Sequence, residues 1–264
     1  MANYNGPKQL DSVTSALLQG TNLVHPPQKP QYSNVGSIIA DLHVHPTLEA
    51  LVHILNHDLP SAHFLVRHMQ APPAVEGMLL HGILHRAEGD FPNAHAWISD
   101  VKDACEGFQP KKQDRGEKLE EDVARKICGG PGTDKSLVLF VYDDEEEAGQ
   151  LIKDVAEFRK KKQSERTESE QTGLEKRIRW ESQKIVEWCK MKFGTEALVD
   201  ASQAWVKNSE EINKISSEMV SVEYLRAIRI FCHSQRSCAS TLGHVCLLCT
   251  QPWKCCTTII LECY

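Results

Sequence analysis

A short stretch of this chain repeats itself, and the repeat limits the folds that the chain can adopt. Segment 48–66 aligns without gaps with segment 80–98 at an offset of 32 residues, and six of the nineteen positions are identical. In each copy a helical stretch precedes an Asp-apolar-Pro turn, and a second helical stretch with a small alanine follows it. A helix pair of this size buries its apolar face only by stacking on a neighbour. The repeat therefore predicts an all-α fold of stacked antiparallel helical hairpins.

Composition and charge indicate an ordinary globular protein. The chain has 264 residues, a net charge of -6 and 41% hydrophobic residues, and its apolar runs are far shorter than the roughly 20 residues of a membrane-spanning helix. The first residues have neither the basic start nor the apolar run of a secretory signal. We therefore expect a cytoplasmic protein without a membrane span. The acidic balance argues against nucleic acid as a partner, which leaves a protein or a small-molecule ligand.

The chain divides into three parts by composition. Residues 1–37 are rich in Pro, Gln and Asn and predict an irregular, flexible leader. Residues 38–219 predict the all-helical domain, and its later part contains a helix near 145–160 and an apolar stripe from Leu174 that Gly194 should end.

Two shorter segments of this domain are also assigned. The run SLVLFVY, 136–142, could form a strand, and a last short helix is expected near 196–206.

Residues 220–264 form a cysteine-rich tail that differs from the rest of the chain. Seven of the ten cysteines lie in it, and charged residues become sparse. Three interpretations remain open: a zinc site around Cys246 and Cys249, disulfides, or a segment from an altered reading frame that does not complete the fold. The abrupt change in composition favours the last of these.

Histidine is concentrated in the predicted hairpins, where nine of the twelve histidines lie. At 100° per residue, His81, His85 and Glu88 share one stripe of the helix near 74–88, opposite its apolar face. The preceding helix carries His63 and is joined to this one by a short link. The two helices should be antiparallel neighbours, so that His63 lies within about one turn of His81.

The convergence of His63, His81, His85 and Glu88 has more than one interpretation. As catalytic candidates they could serve as general acid and base, and His81, His85 and Glu88 also suit a divalent metal ion such as zinc. The sequence favours a third interpretation, a buried hydrogen-bond network, over these two, and exposure to solvent is the remaining alternative. The candidate ligand-binding residues next to them are Arg67, Arg86 and Asn93.

The run HGILHRAEGDFPNAHAW, 81–97, resembles the mark of an uncharacterised family of fungal proteins with distant bacterial relatives, His-Gly-x-x-His-Arg-x-Glu-Gly-Asp-x-x-Asn-Ala-x-x-Trp. Its turn, Gly89 to Ala94, also resembles that of a tetratricopeptide-type hairpin. The family resemblance implies no reaction. It only suggests an accessory protein in fungal specialised metabolism.

Three functions therefore remain as hypotheses. The leading one is a helical protein that binds a partner or small ligand between its hairpins. The alternatives are a metal-dependent or acid/base enzyme that uses the histidines and Glu88, and the accessory role in fungal metabolism.

Overall fold

The regular structure is helical throughout the part of the chain that the computed structural model describes, residues 1–127 and 132–206. These residues form ten α-helices and no strand, which confirms the all-α prediction. They belong to one compact unit, Met1–Asn208, and the predicted tail at 220–264 lies outside them. The helices are α1 (Leu10–Gly20), α2 (Val35–Leu42), α3 (Pro46–Leu55), α4 (Leu59–Val66), α5 (Val75–Glu88), α6 (Phe91–Cys105), α7 (Glu121–Ile127), α8 (Leu137–Tyr142), α9 (Glu147–Lys160) and α10 (Glu168–Phe193).

The segment predicted as an irregular leader is not irregular throughout, because α1 lies within it. Its buried residues Leu10, Val13 and Leu17 follow the i, i+3, i+7 spacing of an amphipathic helix. The surrounding Pro, Gln and Asn residues conceal this short pattern. The N-terminal segment therefore packs into the hydrophobic core.

Two helix-turn-helix units, α3–α4 and α5–α6, occupy the segments that the sequence aligns. Asp58 caps α4 by accepting a hydrogen bond from the backbone N–H of Ser61, and Asp90 caps α6 in the same way. Gly89 ends α5 with φ of +99°, a conformation that favours glycine. Each turn is short, so the second helix of each unit folds back along the first.

The link between α4 and α5 packs against the start of α5 through Met69. Met69 is fully buried, and a side chain at position 77 would collide with it, so Gly77 allows the link to contact the first turn of α5. The end of α4 consequently lies beside α5.

The later part of the described chain is helical as well. The segment 137–142 is a helix rather than the strand its composition suggested, because Ser136 caps it and it buries Leu137, Val138 and Val141. Helix α10 ends at Gly194, as expected. Near 196–206 the predicted helix is only a single 3₁₀ turn, Ser202–Ala204.

Two arginines tie α5 to its neighbours. Arg86 forms a buried two-point ion pair with Glu181 of α10, and Tyr142 donates a hydrogen bond of 2.6 Å to the same carboxylate. Arg159 of α9 donates a hydrogen bond of 3.1 Å to the carbonyl oxygen of Ala87 in the last turn of α5. These contacts set the position of the helix that carries most of the candidate site.

None of the helices in the described ranges is both long enough and apolar enough to cross a membrane.

Candidate functional site

Three imidazoles meet where α4 lies beside α5. His63 comes from α4, and His81 and His85 come from α5. One ring nitrogen of each lies within 4.8 Å of the others, and the Nε2 atoms of His63 and His81 are 3.1 Å apart. We call these three residues the histidine cluster. The structure thus brings together the residues that the stripe on α5 and the short link predicted to meet.

Local helix geometry explains the arrangement. His81 and His85 are four residues apart and therefore lie on the same face of α5, where their rings stack with centroids 4.9 Å apart. The ring of His63 meets both at steep angles, 87° to His81 and 77° to His85. Three rings with these orientations can direct nitrogen atoms toward one point.

Glu88 and Asp90 border the cluster on its more exposed side. An oxygen of Glu88 lies 3.2 Å from Nδ1 of His63, and its other oxygen lies 3.8 Å from Nδ1 of His85. Asp90 lies 3.7 Å from the same His85 nitrogen. Glu88 therefore contacts the Nδ1 atom of His63, while the Nε2 atom of that ring faces His81.

His81 lies at the buried end of the cluster. Its residue is only 5% exposed, and its ring stacks on Trp97 with centroids 4.4 Å apart. Burial, followed by the charges of His63, His85 and Arg67, lowers the pKa of His81 to about 2. Its imidazole is therefore neutral at pH 7, which is the form that binds metal ions.

His85 is neutral for a similar reason. Burial is the largest cause that lowers its pKa, and the charge of His63 acts in the same direction, whereas Glu88 and Asp90 oppose them. Burial and the neighbouring imidazole outweigh the two carboxylates. Two of the three rings are thus held in the uncharged state by the fold itself.

The hydrogen-bond requirements of the cluster are only partly met. Among the described residues, neither Nδ1 of His81 nor Nδ1 of His85 has a hydrogen-bond partner, although both atoms are buried. Buried ring nitrogens in folded proteins are normally paired. A hydrogen-bond network confined to these side chains therefore leaves polar atoms without compensation.

The three candidate ligand-binding residues have different environments. Arg86 is committed to its buried ion pair with Glu181, and Asn93 is exposed and bonds to Asp90 at the start of α6. Only Arg67 lies near the cluster, where its charge acts on His81 and His85. Asp58 pairs with His53 at 3.0 Å, outside the cluster.

Trp97 is the site residue whose role the sequence analysis did not identify. His81 and Trp97 lie eight positions before and after Gly89, at the turn between α5 and α6. Residues at equal distances from a short helix–helix turn lie side by side when the helices are antiparallel. That symmetry is the signal that could have paired them.

Two surface clefts lie away from the cluster. One, of about 340 Å³, is polar and is lined by residues of α6, α9 and the segments next to them, including His95, Lys102 and Glu146. The other, of about 430 Å³, is lined by Trp180, Arg177 and other residues. Neither cleft includes a residue of the histidine cluster.

Comparisons with protein families, curated proteins and solved structures give no match for this chain.

Proposed function

We propose that this chain binds one divalent transition-metal ion, such as zinc, between α4 and α5 through His63, His81 and His85. The observation that carries the proposal is the convergence of three ring nitrogens within 4.8 Å of one another. Imidazole nitrogen suits zinc, copper, cobalt and nickel, whereas magnesium and calcium select oxygen ligands. A small ligand bound between the two helix-turn-helix units is also what the leading hypothesis from the sequence describes.

A metal ion accounts for the close nitrogens better than a hydrogen-bond network does. Two imidazoles whose Nε2 atoms lie 3.1 Å apart can share a single hydrogen bond. That bond leaves out the ring of His85, whose Nδ1 is buried and has no hydrogen-bond partner in the described structure. A cation accepts lone pairs from all three rings at once.

Glu88 supports the same conclusion. Histidine ligands commonly donate their second ring N–H to a carboxylate, which fixes the ring orientation and strengthens the metal bond. The 3.2 Å contact between Glu88 and Nδ1 of His63 has this form and leaves Nε2 of His63 facing the cluster. In the proposed site Glu88 therefore orients a ligand instead of binding the ion.

The metal experiment compares two histidines at equivalent positions of the aligned segments. Full-length protein purified without a histidine tag is titrated with zinc by calorimetry, and bound zinc is counted after dialysis. His63→Ala should bind one equivalent less than the wild type. His95→Ala, which changes the histidine that aligns with His63 but lies in the α6–α9 cleft, should bind the same amount as the wild type.

The difference between the two variants also controls for the cysteine-rich tail, since any zinc held there is present in both. An equal zinc content in wild type, His63→Ala and His95→Ala would contradict the proposal.

The other functional hypotheses have less support. A partner protein in the groove and an accessory role in fungal metabolism stay predictions from the sequence, and no contact among the described residues favours either.

A further inference from the structure

The cleft that contains Trp180 has the size and lining of a small-molecule site. Its volume is about 430 Å³, and its lining residues come from α8, α9 and α10. Small-molecule sites in proteins occupy roughly 300–1,000 Å³ and combine apolar walls with a few polar groups. We call this space the Trp180 cleft. It shares no residue with the histidine cluster, so its ligand can be tested independently of the metal site.

An aromatic surface is available in the Trp180 cleft. Trp180 is 50% exposed, whereas Trp188 on the same helix is fully buried. The buried residues Tyr142 and Leu151 line the cleft together with Trp180. The Nζ atom of Lys184 lies 5.2 Å from the centroid of the Trp180 ring, a contact that helps to hold the indole in place. A planar aromatic ligand would cover the exposed part of the indole and gain a stacking interaction.

The charged groups that line the cleft are paired, with one exception. Glu181 is engaged in the buried ion pair described above. Arg177 forms ion pairs with Glu147 and Asp154. Lys176 is exposed and has no ion pair within the described ranges of the chain. Because an ammonium group only donates hydrogen bonds, a ligand that pairs with Lys176 must bring an acceptor, and a carboxylate also matches its charge.

The aromatic surface and the unpaired ammonium group are neighbours. Lys176 and Trp180 lie four residues apart in α10, so they share one face of this helix, with Cβ atoms roughly 5–6 Å apart. A molecule that carries a carboxylate on an aromatic ring can span this distance. We infer that the Trp180 cleft binds a small aromatic carboxylate, with its ring on Trp180 and its carboxylate on the ammonium group of Lys176.

The test is a ligand-detected NMR titration of the full-length protein at constant ionic strength. The probe is naphthoate. Naphthalenemethanol and naphthylmethylammonium keep the same rings and change the charge, whereas cyclohexanecarboxylate keeps the carboxylate and lacks an aromatic ring. Naphthoate should bind in a saturable way and more tightly than the other three molecules.

Two variants at exposed positions separate the contributions of ring and charge. Trp180→Leu should weaken naphthoate binding about fivefold, because leucine cannot stack on the rings. Lys176→Gln should weaken it about threefold, the loss expected for one exposed ion pair, and should leave the affinity for naphthalenemethanol unchanged. Trp205→Leu and Lys160→Gln change exposed residues outside the cleft and should behave as the wild type.

Several results would overturn the aromatic carboxylate as the ligand. They are the absence of saturable naphthoate binding, an equal or higher affinity for any of the other three molecules, and an unchanged naphthoate affinity in either cleft variant. Sedimentation velocity tests a different occupant. If the wild type were a dimer and Trp180→Leu a monomer, the cleft would be an interface between two copies of the chain.

Discussion

At the residue scale, Glu88 offers a test of how the site is organised. Glu88→Gln keeps an oxygen that can accept a hydrogen bond from Nδ1 of His63 but removes the negative charge. We expect zinc affinity to fall about tenfold, at the lower end of the range for loss of a carboxylate behind a histidine ligand. Calorimetric titration measures the change. The control Glu157→Gln, at an exposed position on α9, should leave the zinc affinity unchanged. If Glu88→Gln bound zinc as tightly as the wild type, Glu88 would not support the ligand His63.

The buried pair of Arg86 and Glu181 gives a second prediction at this scale. Arg86→Met leaves the Glu181 carboxylate buried with Tyr142 as its remaining partner. We expect the free energy of unfolding to fall by about 3–5 kcal/mol, because an uncompensated buried charge is costly. The double variant Arg86→Met/Glu181→Leu removes both charges and should lose less than the single variant. Urea denaturation measures the free energy of unfolding of both variants. If Arg86→Met were as stable as the wild type, the ion pair would not have the structural role described.

Single residues differ in how far their roles follow from the sequence. The stripe of His81, His85 and Glu88 is visible because helical periodicity acts over a few residues, and Asp58 and Asp90 are recognisable as caps for the same reason. The partner of Arg86 is not visible, since Glu181 lies 95 residues further along the chain. Only the packing of α10 on α5 brings the two together.

At the element scale, α1 shows that the predicted leader contributes residues to the hydrophobic core. Leu17 is fully buried, while Leu18 beside it is only partly buried. Leu17→Ala should lower the free energy of unfolding by about 2–5 kcal/mol, as core truncations do. Leu18→Ala, the same chemical change at a partly buried position, should cost less. Equal, small effects in urea denaturation would indicate that α1 does not belong to the core.

The start of α3 predicts a dependence of stability on pH. Nδ1 of His45 caps α3 by accepting from the Thr47 N–H, and its ring stacks on Phe193 at 3.8 Å. Burial, with a smaller effect of Lys192, lowers the pKa of His45 from 6.5 to about 4. Between these two values the unfolded chain binds a proton that the folded chain does not, so His45 makes the fold less stable as the pH falls.

His45→Asn keeps a capping oxygen and removes the titrating ring. Because the ring is only partly buried, we expect the loss of stability between pH 7 and pH 5 to be smaller in the variant by about 1 kcal/mol. Urea denaturation at both pH values measures it, and the other histidines cancel in the comparison. If the stability of the two proteins changed with pH by the same amount, the pH dependence would not come from His45.

A helix could be predicted from the sequence where its apolar repeat extends over several turns. It could not be predicted where the repeat covers only a few residues. The stripe that begins at Leu174 spans several turns, so α10 and its end at Gly194 follow from it. By contrast, α8 has only six residues, too few to separate a helical from an alternating pattern. The cap at Ser136 and the packing of α8 against the core stabilise the helical conformation.

At the scale of the whole molecule, the proposed metal ion joins two helix-turn-helix units of a helical scaffold. His63 belongs to the unit α3–α4, and His81 and His85 belong to α5–α6. The ion would connect the two units across their shared face. Because a ligand that binds only the folded state stabilises it, the folded protein and the filled site should support each other.

X-ray absorption at the zinc edge of the zinc-loaded full-length protein tests this account most directly. We predict a shell with three nitrogen neighbours at about 2.0–2.1 Å and the signature of imidazole rings, and the loss of that signature in His63→Ala. A shell dominated by sulfur at about 2.3 Å, which the cysteines of the tail would produce, or a spectrum unchanged in His63→Ala, would contradict the histidine cluster as the metal site.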